Sequence, residues 1–127
     1  MPDQSLTGLV ATELPRDPTC AAQARAFVRE HLEGRASEPV LERVLLIASE
    51  LATNAWKHGE GMIELRLRPG PEWVHVEVGD EGEGTPAIRE RSAEEHGGWG
   101  LRIVDTLAVR WGCYEGTTHV WADLAFD

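Results

Sequence analysis

The sequence predicts a two-layer α+β sandwich: a mixed, mostly antiparallel sheet with helices on one face. Two observations carry this. The runs Met62 to Arg68 and Trp73 to Val78 alternate apolar and polar residues, as strands with one buried face do. Around them lie three stretches whose apolar residues recur at helical spacing. A length of 127 residues fits one compact domain, taken as 1–127, able to bury a core without covalent staples.

The elements follow in order. Ser5 to Leu14 reads as a first strand anchored by Leu6, Leu9, Val10 and Leu14, and Pro15-Arg16-Asp17-Pro18 as a turn. Asp17 as N-cap with Pro18 at the first helical position predicts a helix from there to about Leu32, ended by Gly34. Its stripe is Ala21, Ala24, Phe27, Val28 and Leu32. A second helix starts at Ser37 or Glu38 with Pro39 in its first turn, buries Val44, Ile47, Ala48, Leu51 and Ala55, and closes at His58-Gly59. In the hairpin that follows, Ile63, Leu65 and Leu67 point one way, as do Val74, Val76 and Val78 opposite His75 and Glu77. Pro69-Gly70-Pro71 turns the chain between the two strands. The polar stretch from Glu81 to His96 reads as a loop. A third helix spans about Trp99 to Val109 with Leu101, Val104, Leu107 and Ala108 inward. Two short strands, near Arg110–Glu115 and Thr118–Phe126, flank a turn at Gly116-Thr117.

Composition narrows the function. Hydrophobic content of 42% and charged content of 27% are ordinary for a soluble globular protein. A formal net charge of −10 repels phosphate backbones and argues against direct nucleic-acid binding. The two cysteines, Cys20 and Cys113, read as reduced thiols. The first residues show neither a charged leader nor an apolar h-region, and no apolar run approaches the ~20 residues that span a bilayer. The expectation is a cytoplasmic protein with no membrane contact.

Three constellations carry chemistry. Glu50 and Asn54 are spaced i, i+4 and share one helix face, pairing a candidate base with a candidate metal-side amide. Asp80 ends a Val-rich strand, where a carboxylate can accept a hydrogen bond from an exocyclic amine such as adenine's, and Gly82 and Gly84 let the backbone turn beside a ligand. Gly97-Gly98-Trp99-Gly100-Leu101 opens a helix, where free N–H groups can hold phosphate. Taken singly, these are also a solvated helix face, a turn and a flexible helix entry. Together and in this order they suggest a nucleotide site.

Rival motifs fare worse. Gly82 to Ala87 formally fits a dinucleotide fingerprint, but Pro86 and the polar stretch after it offer no helix, and too little chain follows for that fold. There is no Gly-Lys-Ser/Thr phosphate loop. The five histidines have no metal-ligand spacing with the cysteines. The five tryptophans read mostly as core or edge packing, with Trp99 the candidate for a lid or partner contact.

The chain resembles the GHKL, or Bergerat-fold, ATPase superfamily, and within it the anti-sigma factor serine kinase branch. The matching residues are Glu50-Leu-Ala-Thr-Asn54-Ala55 with His58, Asp80-Glu-Gly82-Glu-Gly84, Gly98-Trp-Gly100-Leu101 continuing into Ile103-Val104, and Gly116-Thr117-Thr118 before the last strand. They span nearly the whole chain. The resemblance implies an ATP site with Mg²⁺. Asn54 would ligate the metal, Glu50 would be the general base, and Asp80 would read the adenine amine. Gly82 and Gly84 would admit base and ribose. Backbone amides of Gly98, Gly100 and Leu101 would face the phosphates, and Thr118 would support the adenine contact. Lys57 and His58 are candidates for a phosphate or lid contact, against a solvated helix end. The implied partners are a sigma factor and a STAS-domain antagonist carrying the acceptor serine or threonine, and homodimers are implied as well. The segment between Gly84 and Gly97 is short for an ATP lid, which keeps a second function open: an ATP-gated adaptor with negligible kinase turnover. An intact Glu50 favours the kinase.

Overall fold

A computed structural model describes residues 8–82, 96–113 and 119–126, with the backbone alone for 96–101. In chain order the elements are β1 (Val10–Leu14), α1 (Cys20–Leu32), α2 (Glu38–His58), β2 (Ile63–Pro69), β3 (Trp73–Gly79), α3 (His96–Leu107), β4 (Arg110–Cys113) and β5 (Val120–Ala125). The five strands form one sheet in the order β1-β2-β3-β5-β4. Every strand pairing within the sheet is antiparallel, so the sheet is more uniform than the mixed one expected. The two-layer α+β architecture is as the sequence predicts.

Register assigns the two faces. Leu67 pairs with Val76 and Leu65 with Val78, while Val76 pairs with Ala122 and Val78 with Val120. These residues point to the helical layer, where Ile63, Leu65, Leu67, Val74 and Val76 are fully buried. The alternation in the sequence is therefore the face assignment itself, because a one-residue slip would expose the whole set.

Helix α2 is the centre of the helical layer and packs on α1, α3, β2, β3 and β5. Its start follows from Ser37, whose Oγ accepts the Val40 N–H at 3.4 Å, with Pro39 in the first turn; such a cap is worth about 1 kcal/mol. Small residues at Ala48, Ala52 and Ala55 let neighbours approach closely, and the buried Cys20 thiol donates to the Ala52 carbonyl at 3.5 Å. Burial raises the Cys20 pKa, so the thiol stays protonated and inert. Truncating a fully buried residue such as Ile47 or Leu65 to Ala costs about 2–5 kcal/mol.

Three boundaries differ from expectation. Helix α1 starts at Cys20, with Thr19 as N-cap, rather than at Pro18. Asp17 does not cap the helix: its Oδ1 accepts from the Thr19 N–H at 2.7 Å and from the Thr19 hydroxyl at 2.6 Å, closing a local turn ahead of it. The strand β1 begins at Val10, after Gly8 and Leu9. Helix α3 begins at His96, upstream of the expected Trp99. The helix includes Gly97 and Gly98 despite their poor helix propensity.

Candidate functional site

The site is built where the C-terminal end of α2 meets the end of β3. Leu51 and Ala55 anchor this part of α2 in the core. That leaves Glu50 and Asn54, one turn apart, half-buried on the flank of the same helix. Lys57 and His58 are exposed, as a solvated helix end would be. Strand β3 delivers Asp80 at its end, 8% exposed.

Glycine allows the two ends to meet. A Cβ on Gly59 would overlap the Asp80 carboxylate and lie 2.8 Å from the Ala55 carbonyl oxygen, so any side chain there would displace one or the other. Asp80 Oδ1 accepts the Gly82 N–H at 2.7 Å, which turns the chain away from the sheet. The Glu81 N–H donates to the Glu60 carbonyl at 2.7 Å, fastening that turn to the loop after α2. The carboxylate is thus fixed by backbone groups at a strand end, beside the helix that carries Glu50 and Asn54.

Arg16 reaches the same corner from the turn after β1. Its Nε donates to the Gly61 carbonyl at 2.9 Å, and its Nη1 donates to the carbonyls of Ala55 at 2.9 Å and Trp56 at 2.8 Å. The Ala55 carbonyl also accepts the Gly59 N–H at 2.9 Å, so Arg16 adds to the helix's own cap, and its guanidinium supplies several donors from one rigid fork. The sequence places Arg16 in a turn and gives no sign of this role, because its acceptors lie 39 to 45 residues away.

The glycine run sits differently from expectation. Gly98 is the third residue of α3, within the first turn, where a backbone N–H has no partner inside the helix. Gly100 and Leu101 are its fifth and sixth residues, positions whose amides bond back along the helix in α geometry. Gly84, Gly116, Thr117 and Thr118 lie outside the described residues, as do the side chains of Trp99 and Leu101.

A second polar cluster on the outer face of the sheet was not foreseen. His75 Nδ1 meets Asp123 Oδ1 at 2.6 Å, His75 Nε2 meets Glu77 Oε1 at 3.3 Å, and Arg110 Nη2 donates to Asp123 Oδ2 at 3.0 Å. Glu77 and Asp123 are 7% and 8% exposed although their strand positions face away from the helices. The hydrogen bond to Glu77, and after it the contacts with Asp123, raise the His75 pKa against the opposing effect of burial. Trp121 stacks on His75 with centroids 5.8 Å apart, and its ring lies over Gly112. Trp111 donates to Asp105 at 2.7 Å, and Trp56 packs against the core. These tryptophans are edge packing, whereas Trp73 is 41% exposed.

The donor set at the α2–β3 corner fits an adenine nucleotide. A buried carboxylate at a strand end suits an amine, and a half-exposed amide and carboxylate one turn apart suit a metal and a proton. Among the described residues no three His, Cys, Asp or Glu side chains are grouped as a protein-only metal site requires. A lone amide such as Asn54 can hold a metal only alongside ligands from a bound molecule, phosphates being the usual ones for Mg²⁺. No helix among the described residues is long and apolar enough to cross a membrane. None of the curated proteins compared with the chain matches it. The family model for the histidine kinase-like ATPase domain matches residues 14–122, from the end of β1 into β5 and across the whole α2–β3 corner; the chain belongs to that family of ATP-binding domains.

Proposed function

We propose that this protein is an ATP- and Mg²⁺-dependent serine/threonine kinase of the anti-sigma factor type, which phosphorylates or sequesters a protein partner to control transcription. The observation that carries the reading is the placement of Glu50 and Asn54 one turn apart on α2, the helix that ends against Asp80. ATP supplies the phosphoryl group. Asp80 accepts a hydrogen bond from the adenine amine, Asn54 contributes its side-chain oxygen to the metal, and Glu50 takes the proton of the acceptor hydroxyl. Gly82 and Gly84 give the base room, the first-turn amide of Gly98 turns towards phosphate, and Thr118 supports the adenine contact. The partners in this reading are a sigma factor and a STAS-domain antagonist, met in the cytoplasm by a homodimer. The acidic net charge of −10 supports a protein partner over a nucleic acid.

A second reading, an ATP-gated adaptor with negligible turnover, is favoured by the short segment between Gly84 and Gly97. One experiment separates the two. Labelled ATP is incubated with the protein and candidate STAS-domain proteins, using parent and Glu50→Gln. The variant keeps shape and hydrogen bonding but accepts a proton poorly. The kinase reading expects retained ATP affinity and a 10²–10⁴-fold loss of phosphoryl transfer, the range for a general base. A parent that transfers no phosphate to any candidate, yet holds one tightly only with nucleotide, leaves the adaptor standing.

A further inference from the structure

We propose that Arg16 is a positioning residue for the nucleotide site, holding the end of α2 and the 59–61 loop so that Asp80 can discriminate the base. The proposal rests on the reading of Asp80 as the group that accepts the adenine amine.

The connection runs through short, consecutive links. Arg16 grips the carbonyls of Ala55 and Trp56, immediately after Asn54 in the chain, and the carbonyl of Gly61. Glu60, one residue before Gly61, accepts the Glu81 N–H, one residue after Asp80. Gly59 lies against the Asp80 carboxylate with no space for a methyl group. Gly61 has φ of 71°, a left-handed conformation that glycine adopts freely, and a Cβ there would overlap the Glu81 side chain. The guanidinium is what crosses from helix to loop. A shift of the loop moves the wall behind Asp80, and recognition of a base edge depends on sub-ångström placement of the acceptor.

The site of the charge also fits. The C-terminal end of a helix carries partial negative charge, which favours a cation there. Arg16 is half-buried, and its Nη2 is buried with no hydrogen-bond partner among the described residues. An ordinary helix cap would engage the helix alone; the Nε bond to Gly61 is made across to the loop instead.

The test measures affinity for ATP and for purine riboside triphosphate, which lacks the 6-amino group, in the parent, Arg16→Met and Arg16→Lys. The parent should prefer ATP by about 10- to 100-fold, the worth of one hydrogen bond to a charged acceptor. Arg16→Met should shrink that preference to about a third or less while measured well below its melting temperature. Arg16→Lys should restore part of it, because an ammonium is a point donor and cannot span three carbonyls in a rigid fork. Plain destabilisation weakens both ligands equally and leaves the ratio untouched, so an unchanged ratio in Arg16→Met overturns the proposal and leaves Arg16 a helix cap. Should Arg16→Met fail to fold, Arg16→Lys carries the same comparison, and a parental ratio there is the overturning result. A parent that does not distinguish the two ligands overturns the reading of Asp80 and this proposal with it, an outcome visible before any variant is made.

Discussion

Asp80 and Asp123 lie on or beside neighbouring strands, and each is 8% exposed, yet the fold uses them differently. Asp123 sits in mid-strand on the outer face, with His75 on one oxygen and Arg110 on the other. Its charge faces the Arg110 guanidinium and the His75 ring, which the register of β3, β4 and β5 brings to it. Asp80 sits where β3 leaves the sheet, held by the backbone amide of Gly82 and pressed against a glycine. Equal burial therefore hides two roles. One carboxylate ties strands together; the other is presented at a strand end beside the helix of Glu50 and Asn54. Burial alone does not separate the two; their places in the strands do, mid-strand for Asp123 and at the strand end for Asp80.

The comparison can be broken by substitutions on either side. The largest effect belongs to the α2 side. Asn54→Ala should lower phosphoryl transfer about 100-fold or more and abolish the Mg²⁺-dependent part of ATP affinity, since metal-assisted charge stabilisation is worth several kcal/mol. Its half-buried position predicts a stability change within about 1 kcal/mol by thermal unfolding. A fall in stability with no change in Mg²⁺ dependence would move Asn54 to the structural side.

Asp123→Asn should do the reverse. It keeps the shape but removes the charge facing His75 and Arg110, and should lower unfolding free energy by about 1–3 kcal/mol in urea titration. ATP affinity at a temperature well below the melting point should stay within about twofold, under about 0.5 kcal/mol. A larger loss of affinity would join the two regions into one functional unit.

A smaller effect is the pH dependence of the outer cluster. The folded state raises the His75 pKa above its ordinary value of about 6.5. The protonated ring between two carboxylates therefore adds stability in full below that ordinary value. This stability is lost as pH rises through the raised, folded value. Unfolding of the parent and His75→Gln across pH 5.5 to 9 should show a stability gap that is widest at the acid end and narrows upward. A gap that widens with pH contradicts a shared proton in the cluster. Smallest of all, Glu33→Gln removes an exposed ion pair with Arg29 at 3.9 Å, remote in sequence from both regions. It should change stability by less than about 0.5 kcal/mol, setting the scale against which the others are read.

Much of this contrast was legible in the sequence on one side and not on the other. Glu50, Asn54 and Asp80 stand out because their meaning is local: a helical spacing, a strand end, glycines close by. The sheet's inner face was legible for the same reason, since period-two alternation marks Leu65 and Val76 without knowledge of their partners. His75 and Glu77 read only as the face opposite the core, and Asp123 carries no local sign of a partner; His75 and Asp123 are 48 residues apart and meet through the β3–β5 register. Arg16 is hidden likewise. The start of α1 was misplaced because Asp17 satisfies its own neighbour, Thr19, instead of the helix. At α3 the glycine run was read as opening a helix near Trp99, and the helix begins three residues earlier, at His96.

The central claim is that the α2–β3 corner binds ATP through Asp80. Calorimetric titration of Mg²⁺-ATP into the parent and Asp80→Asn, both confirmed folded by thermal unfolding, tests it most directly. The account predicts measurable binding by the parent and a loss of about 1.5–3 kcal/mol in the variant, roughly 10- to 150-fold in affinity, because an amide replaces a charged acceptor. Equal affinity in the two proteins, or no binding by the parent at millimolar nucleotide, would contradict it.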